Sequence, residues 1–290
     1  MNEQVCKADM GGDGAAVVDT CGYPVETTGN TVLDILEHRS STRAFARDDD
    51  DRPVAVTDEQ RAAILHAASR APSAGAMMMY SIISIREQAT LDRLADLCDH
   101  QPMIAKAPWA LIFVVDYAKW IDLFEHAGCF EPEFVERTGK APRRAPGLGD
   151  FAIAAQDAVI AAQNAVVAAE ALGLGSCYIG DIVENAEEVA ELLDLPPYTM
   201  PLSMLIIGRP RKERPAIAHP VVNLVHEERY CRADAATMDA QVAEMDAMFR
   251  PHAHEVGERV ADIYTRKHTS PFMAEMSRSM DWWFKNWLGK

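Results

Sequence analysis

Apolar residues are arranged in two ways along the chain. In some stretches they return every three or four positions, as in a helix buried on one face. In others they form short unbroken runs, which suit strands covered on both sides. VLDILEH (32–38) is of the first kind, with Thr31 as an N-cap candidate and Asp34 three residues on. Thr57 and Gln60 are spaced as a capping box, and Ile64, Leu65 and Ala68 then share one face until Pro72 stops the helix. YSIISI (80–85) reads as a strand from its β-branched content, and a helix near 90–99 follows. WALIFVVD (109–116) is apolar almost throughout, as expected of a central strand, and MPLSMLIIG (200–208) is a third strand.

Phe151 to Leu172 contains neither Gly nor Pro and is rich in alanine, which predicts a helix of about 33 Å. Its small residues let neighbours approach closely, so it should be central and buried, with Gly173 as its C-cap. Asn185 opens another helix, ended by Pro196 and Pro197. Residues 117–149 read as a long irregular loop rich in Pro and Gly. Helices are expected at 236–249 and 270–288. In the second, Phe272, Met276, Met280, Trp283 and Trp287 form a packing stripe, facing either the body of the protein or a partner subunit. The division this predicts is an N-terminal arm at 1–30, a main domain at 31–230 and a helical extension at 231–290.

Charge narrows the field. The 290 residues carry 28 basic and 44 acidic side chains, a net charge of −16. A nucleic-acid backbone needs a basic face, so a nucleic-acid partner is not expected, whereas a small anion held by a few local arginines remains compatible. The chain has no unbroken run of 18 apolar residues, and its first residues lack the apolar centre of a signal peptide. The expectation is a cytoplasmic protein with no membrane partner. Six scattered cysteines include no C-x-x-C pair. The acidic run RDDDDRP (47–53) reads as solvated surface and HAHE (252–255) as a solvated loop, so no metal site is expected.

Three stretches can carry chemistry. In HRSSTRAF (38–45), Arg39 and Arg43 flank Ser40, Ser41 and Thr42; two guanidinium forks and hydroxyls suit a phosphate monoester, although the same run can cap a helix end. In APSAGAMMMY (71–80), small residues let backbone approach a flat ligand, and Met77 to Met79 offer either adaptable contacts or core packing. GLGSCYIGD (173–181) is a glycine-rich bend that lacks the pattern of a P-loop or dinucleotide fingerprint. It either stops the long helix or presents backbone N–H groups to a ligand.

Taken with MLIIGRP (204–210), these stretches follow one another as they do in the nitroreductase family of FMN-dependent oxidoreductases, which the chain resembles from about Thr31 to about Tyr230. The resemblance implies an α+β three-layer sandwich, with a central, mostly antiparallel sheet flanked by helices, and an intertwined homodimer with two flavin sites. It implies that Arg39, Ser40, Ser41 and Arg43 hold the ribityl phosphate and the pyrimidine edge. Pro72, Ser73, Ala74, Gly75 and Ala76 form the turn beside the partner subunit's flavin, and Ile179 and Gly180 form the bend facing the ring. His219 or Arg211 is a further phosphate ligand. The family's asparagine after the turn is Ala76 here, which removes one polar tether and leaves a more apolar wall of methionines.

The implied activity is hydride transfer from NADH or NADPH to a small acceptor such as a nitroaromatic or quinone. The chemistry belongs to the flavin, so no catalytic side chain is demanded. The changes at 76–79 keep two alternatives open: an FMN-binding carrier or sensor without turnover, and a flavin-free structural homodimer.

Overall fold

The computed structural model describes residues 31–140, 143–212, 223–248 and 255–289. In chain order the helices are α1 (Thr31–His38), α2 (Asp58–Ser69), α3 (Gln88–Leu97), α4 (Pro102–Ala105), α5 (Ala118–His126), α6 (Pro132–Thr138), α7 (Leu148–Ala171), α8 (Ala186–Leu192), α9 (Ala235–Met248), α10 (Glu258–Ile263) and α11 (Pro271–Trp287). The strands are β1 (Tyr80–Ile85), β2 (Trp109–Asp116), β3 (Gly175–Ile179) and β4 (Thr199–Gly208). Two compact units share the chain: Met1–His38 with Pro215–Met273, and Arg39–Arg214 with Ala274–Lys290.

The first unit holds α1, α9 and α10. Asp246 near the end of α9 accepts the backbone N–H of Gly257 at 2.6 Å and of Arg259 at 3.1 Å. These are donors that the first turn of α10 leaves without partners inside the helix.

The second unit is the sandwich. Its sheet runs β1-β2-β4-β3 with every pairing antiparallel. β2 is buried along its whole length, and its alternate residues feed two cores. Trp109, Leu111 and Phe113 meet Ile64 and Ala68 of α2 and the alanines of α7. Ala110, Ile112 and Val114 face Leu91 and Leu94 of α3, Ile104 of α4, Val189 of α8 and Trp283 of α11. This is the expected α+β three-layer arrangement. Ala158, Ala161, Ala162 and Ala165 are fully buried, so α7 lies directly on the sheet. α7 is long and apolar enough to cross a membrane by length and composition, yet its alanine face packs on the strands.

From Met276 on, the stripe on α11 packs into this same unit. Trp283 and Trp287 are fully buried, and their indole N–H groups donate to the carbonyls of Val183 at 2.9 Å and Gly147 at 3.2 Å. Two expectations need correction. The stretch 117–149 contains α5 and α6, the latter opened by Pro132 and closed by Gly139 in the left-handed region. The glycine-rich bend is mostly strand: β3 pairs with β4 from Gly175 opposite Gly208 to Ile179 opposite Met204.

Candidate functional site

The arginine segment is built onto the edge of the sheet. Thr42 donates its backbone N–H to the carbonyl of Ser176 at 2.8 Å, and Ser41 forms a bridge with Ser176. The chain then runs beside the end of β4. Ala46 N–H reaches the carbonyl of Arg209 at 2.8 Å, and Arg211 N–H reaches that of Ala44 at 3.0 Å. Two glycines make this possible. A Cβ on Gly175 would stand 2.1 Å from Thr42 Oγ1, and one on Gly208 would stand 2.7 Å from both Phe45 Cδ1 and Pro108 Cγ.

Arg39, Arg43 and Arg211 are thereby carried on stretches hydrogen-bonded to one another. Arg39 is half-buried, while Arg43 and Arg211 are exposed. Burial pushes the Tyr178 hydroxyl up to about 12 and raises the Glu170 carboxyl, and in both cases the nearby Arg39 charge pulls the other way. Glu170 Oε1 is buried without a hydrogen-bond partner. A concentration of positive charge in a chain of net charge −16 is what a doubly charged phosphate needs.

Three residues further along β3, about 10 Å from Ser176, the strand ends at buried Ile179. Gly180 then opens a single 3-10 turn, Gly180–Val183. Gln101 Nε2 donates to Asp181 Oδ2 at 2.6 Å and steadies the corner. Gly180 is exposed, and a Cβ there would have no atom within 4 Å, so the space beside it is open to the face of a planar group.

The turn before β1 is organised by a residue the sequence reading overlooked. Asp157, 2% exposed on α7, accepts the backbone N–H of Ala74 at 2.9 Å and of Met79 at 3.3 Å. Ser73 Oγ accepts from Met78 N–H at 3.2 Å, and Trp120 donates its indole N–H to the carbonyl of Met77 at 2.9 Å. Lys119 donates to the carbonyl of Tyr80 at 2.5 Å; burial lowers its pKa, while the charges of Asp116 and Asp157 oppose that shift. Pro72, Ala74, Gly75 and Ala76 are exposed and Ser73 is half-buried. The three methionines, expected to line the ligand space together, divide. Met79 is buried and Met77 packs on the same core, whereas Met78 is exposed. An acidic residue within an otherwise apolar buried helix was the available signal for Asp157.

The structure therefore groups Arg39, Ser40, Ser41, Arg43 and Arg211 at the start of β3, with Ile179 and Gly180 at its end. It does not bring Pro72–Ala76 to the arginines within one chain. Asp157 marks the turn on α7 and Glu170 marks Arg39, and they stand thirteen residues apart, about 20 Å. His219 lies outside the described residues.

The nitroreductase family profile matches residues 36–209. An FMN reductase of Bacillus subtilis, named as using NAD(P)H, is 33% identical over 215 residues, 73% of this chain and 79% of that protein. An oxygen-insensitive NADPH nitroreductase of Salmonella typhimurium is also 33% identical, over 218 residues that cover 73% of this chain and 81% of that one. Among solved structures, the hypothetical oxidoreductase YcnD of Bacillus subtilis superposes with a TM-score of 0.67 at 28% identity, covering 86% of this chain and 97% of its own. With this sandwich, a family profile over more than half of its length and a relative 33% identical over 73% of it, the chain belongs to the nitroreductase family.

Proposed function

We propose that the protein is an FMN-dependent oxidoreductase that takes hydride from NADH or NADPH and passes it to a small acceptor, a nitroaromatic or a quinone, as a cytoplasmic homodimer. The observation that carries this reading is the seating of the arginine segment on β3, on the same sheet edge as an open Gly180. The residues present fit FMN. Arg39, Arg43 and Arg211, with Ser40 and Ser41, would hold the phosphate and the polar ring edge. Ile179 and Gly180 would present backbone to the ring. Bound FMN supplies the chemistry, accepting hydride from the nicotinamide and giving it up to the acceptor. The chain's own contribution is to orient the two reactants, and to offer positive charge and N–H donors where negative charge gathers.

Two observations support the homodimer. Pro72–Ala76 sits against the middle of α7 and the arginines near its last turn, about 20 Å apart, so a second copy can bring its turn to the first copy's arginines. The face of α7 turned away from the sheet leaves Ile153, Val159 and Ile160 exposed for a second copy to cover. We read residues 31–230 as the flavin-binding core, with 1–30 and 231–290 added to it and the last turns of α11 packed back into the core.

An anaerobic titration tests the reading. The purified protein should be yellow, bleach with NADPH or NADH, and recover its colour when a nitroaromatic is added. Yellow protein that no nicotinamide bleaches would favour the carrier, and colourless protein that takes up no FMN would favour the flavin-free dimer.

A further inference from the structure

α5, the turn that follows it and the segment leading into α7 line a half-open cavity of about 170 Å3. Its apolar lining is Tyr117, Ile121, Phe124 and Phe130, with Cys129 beside them, and Arg143 and Arg144 supply its charge. A cavity of about 150 Å3 in another protein takes one benzene ring, so this space suits a single six-membered ring with a small substituent. Phe124 and Phe130 meet edge to face, with centroids 6.4 Å apart and planes at 79°, which leaves ring surface for an aromatic guest.

The two arginines are not equivalent. Arg144 grips Asp150 with both ends of its fork, Nη1 to Oδ2 at 2.6 Å and Nη2 to Oδ1 at 2.9 Å, and holds the Asp150 carboxyl below its ordinary range. Arg143 stacks its guanidinium over the Phe130 ring at 5.1 Å. Its ion pair with Glu125 is 3.8 Å long, beyond hydrogen-bond reach, and half-exposed. A carboxylate on a ring inside the cavity gives that fork a two-point partner that Glu125 does not. We propose that this cavity binds a monocyclic aromatic carboxylate, with the ring against Phe124 and Phe130 and the carboxylate on Arg143. The proposal uses none of the residues assigned to FMN and stands whether or not that assignment holds.

Benzoate is the probe, and the full-length protein with whatever flavin it carries is the sample. Calorimetry should show saturable binding, and bound benzoate should slow alkylation of Cys129 by iodoacetamide, read by peptide mass. The Cys129 readout separates this cavity from any other place where benzoate binds. Arg143→Gln, an exposed substitution that leaves the walls intact, should weaken benzoate about tenfold, the loss of one charge-assisted contact. Benzyl alcohol, which lacks the charge, should bind both proteins equally. Unchanged Cys129 alkylation at about 10 mM benzoate, where even a weak small ligand is bound, would overturn the proposal. So would equal benzoate affinity in the wild type and Arg143→Gln.

Discussion

Asp157 Oδ1 accepts the backbone N–H of Ala74 at 2.9 Å, joining a carboxylate in the buried alanine face of α7 to a turn eighty-three residues upstream. The second oxygen takes Met79 N–H, so one side chain closes both ends of the turn. Asp157→Asn keeps the shape but turns an NH2 group toward one of these donors. The variant should lose about 1–3 kcal/mol in urea denaturation, the cost of an unsatisfied buried donor. A change within about 0.5 kcal/mol, typical of a surface site, would mean that Asp157 does not hold the turn.

Ala76 sits at φ 55°, in the left-handed region that a β-carbon disfavours. The asparagine usual in the family at this position tolerates that conformation, so the departure carries a backbone cost as well as a lost tether. Ala76→Gly should stabilise the protein by about 0.5–1 kcal/mol, as judged by the midpoint of chemical denaturation. Ala76→Asn should move the midpoint the same way.

The glycines of the motif differ in what they do. Gly175→Ala should drive Thr42 off β3 and reduce both stability and FMN affinity, because the added carbon would overlap Thr42 Oγ1. Gly180→Ala has no protein atom in its way and should leave thermal stability unchanged. Thermal melts and FMN titrations of the two variants, run side by side, check both statements.

Arg278 links α11 to α8. It holds Glu275 with two hydrogen bonds and reaches Glu187 with Nη1 at 2.8 Å and Nη2 at 2.9 Å, while Glu275 Oε1 accepts the backbone N–H of Asn185 at 3.2 Å. The hydrogen bonds from Arg278 bring the Glu275 carboxyl from 4.5 down to about 2. Because the folded value is depressed, the stabilisation is complete above about pH 4.5 and is lost as pH falls toward 2. The group is partly exposed, so solvent screening limits the effect to about 1 kcal/mol. Urea denaturation across that window should show Glu275→Gln flattening the pH dependence.

What the sequence disclosed followed its strongest local signals. β2 was legible because seven apolar residues in a row have few other uses, and the stripe on α11 because its period is helical. β3 was not, because GSCYI is short and sits between Leu174 and Gly180 in a glycine-rich stretch. Its strand character comes from β4 and from the arginine segment paired on either side. α6 was passed over although Pro132 and Gly139 mark its two ends. The candidate residues were legible as motifs, but their separation was not. The distance between the turn and the arginines depends on how far α7 carries the chain, from Asp157 near its middle to Glu170 in its last turn.

The central claim is that Arg39 and Arg43, seated on β3, hold the phosphate of FMN. The direct measurement is FMN dissociation from wild type and from the Arg39→Ala, Arg43→Ala double variant, followed by flavin fluorescence, with riboflavin as the ligand that lacks the phosphate. The account predicts that the double variant weakens FMN at least a hundredfold, about 3 kcal/mol for two charge-assisted contacts, and weakens riboflavin, which keeps the polar ring edge but lacks the phosphate, by a much smaller factor. Wild-type FMN affinity in the double variant would contradict it.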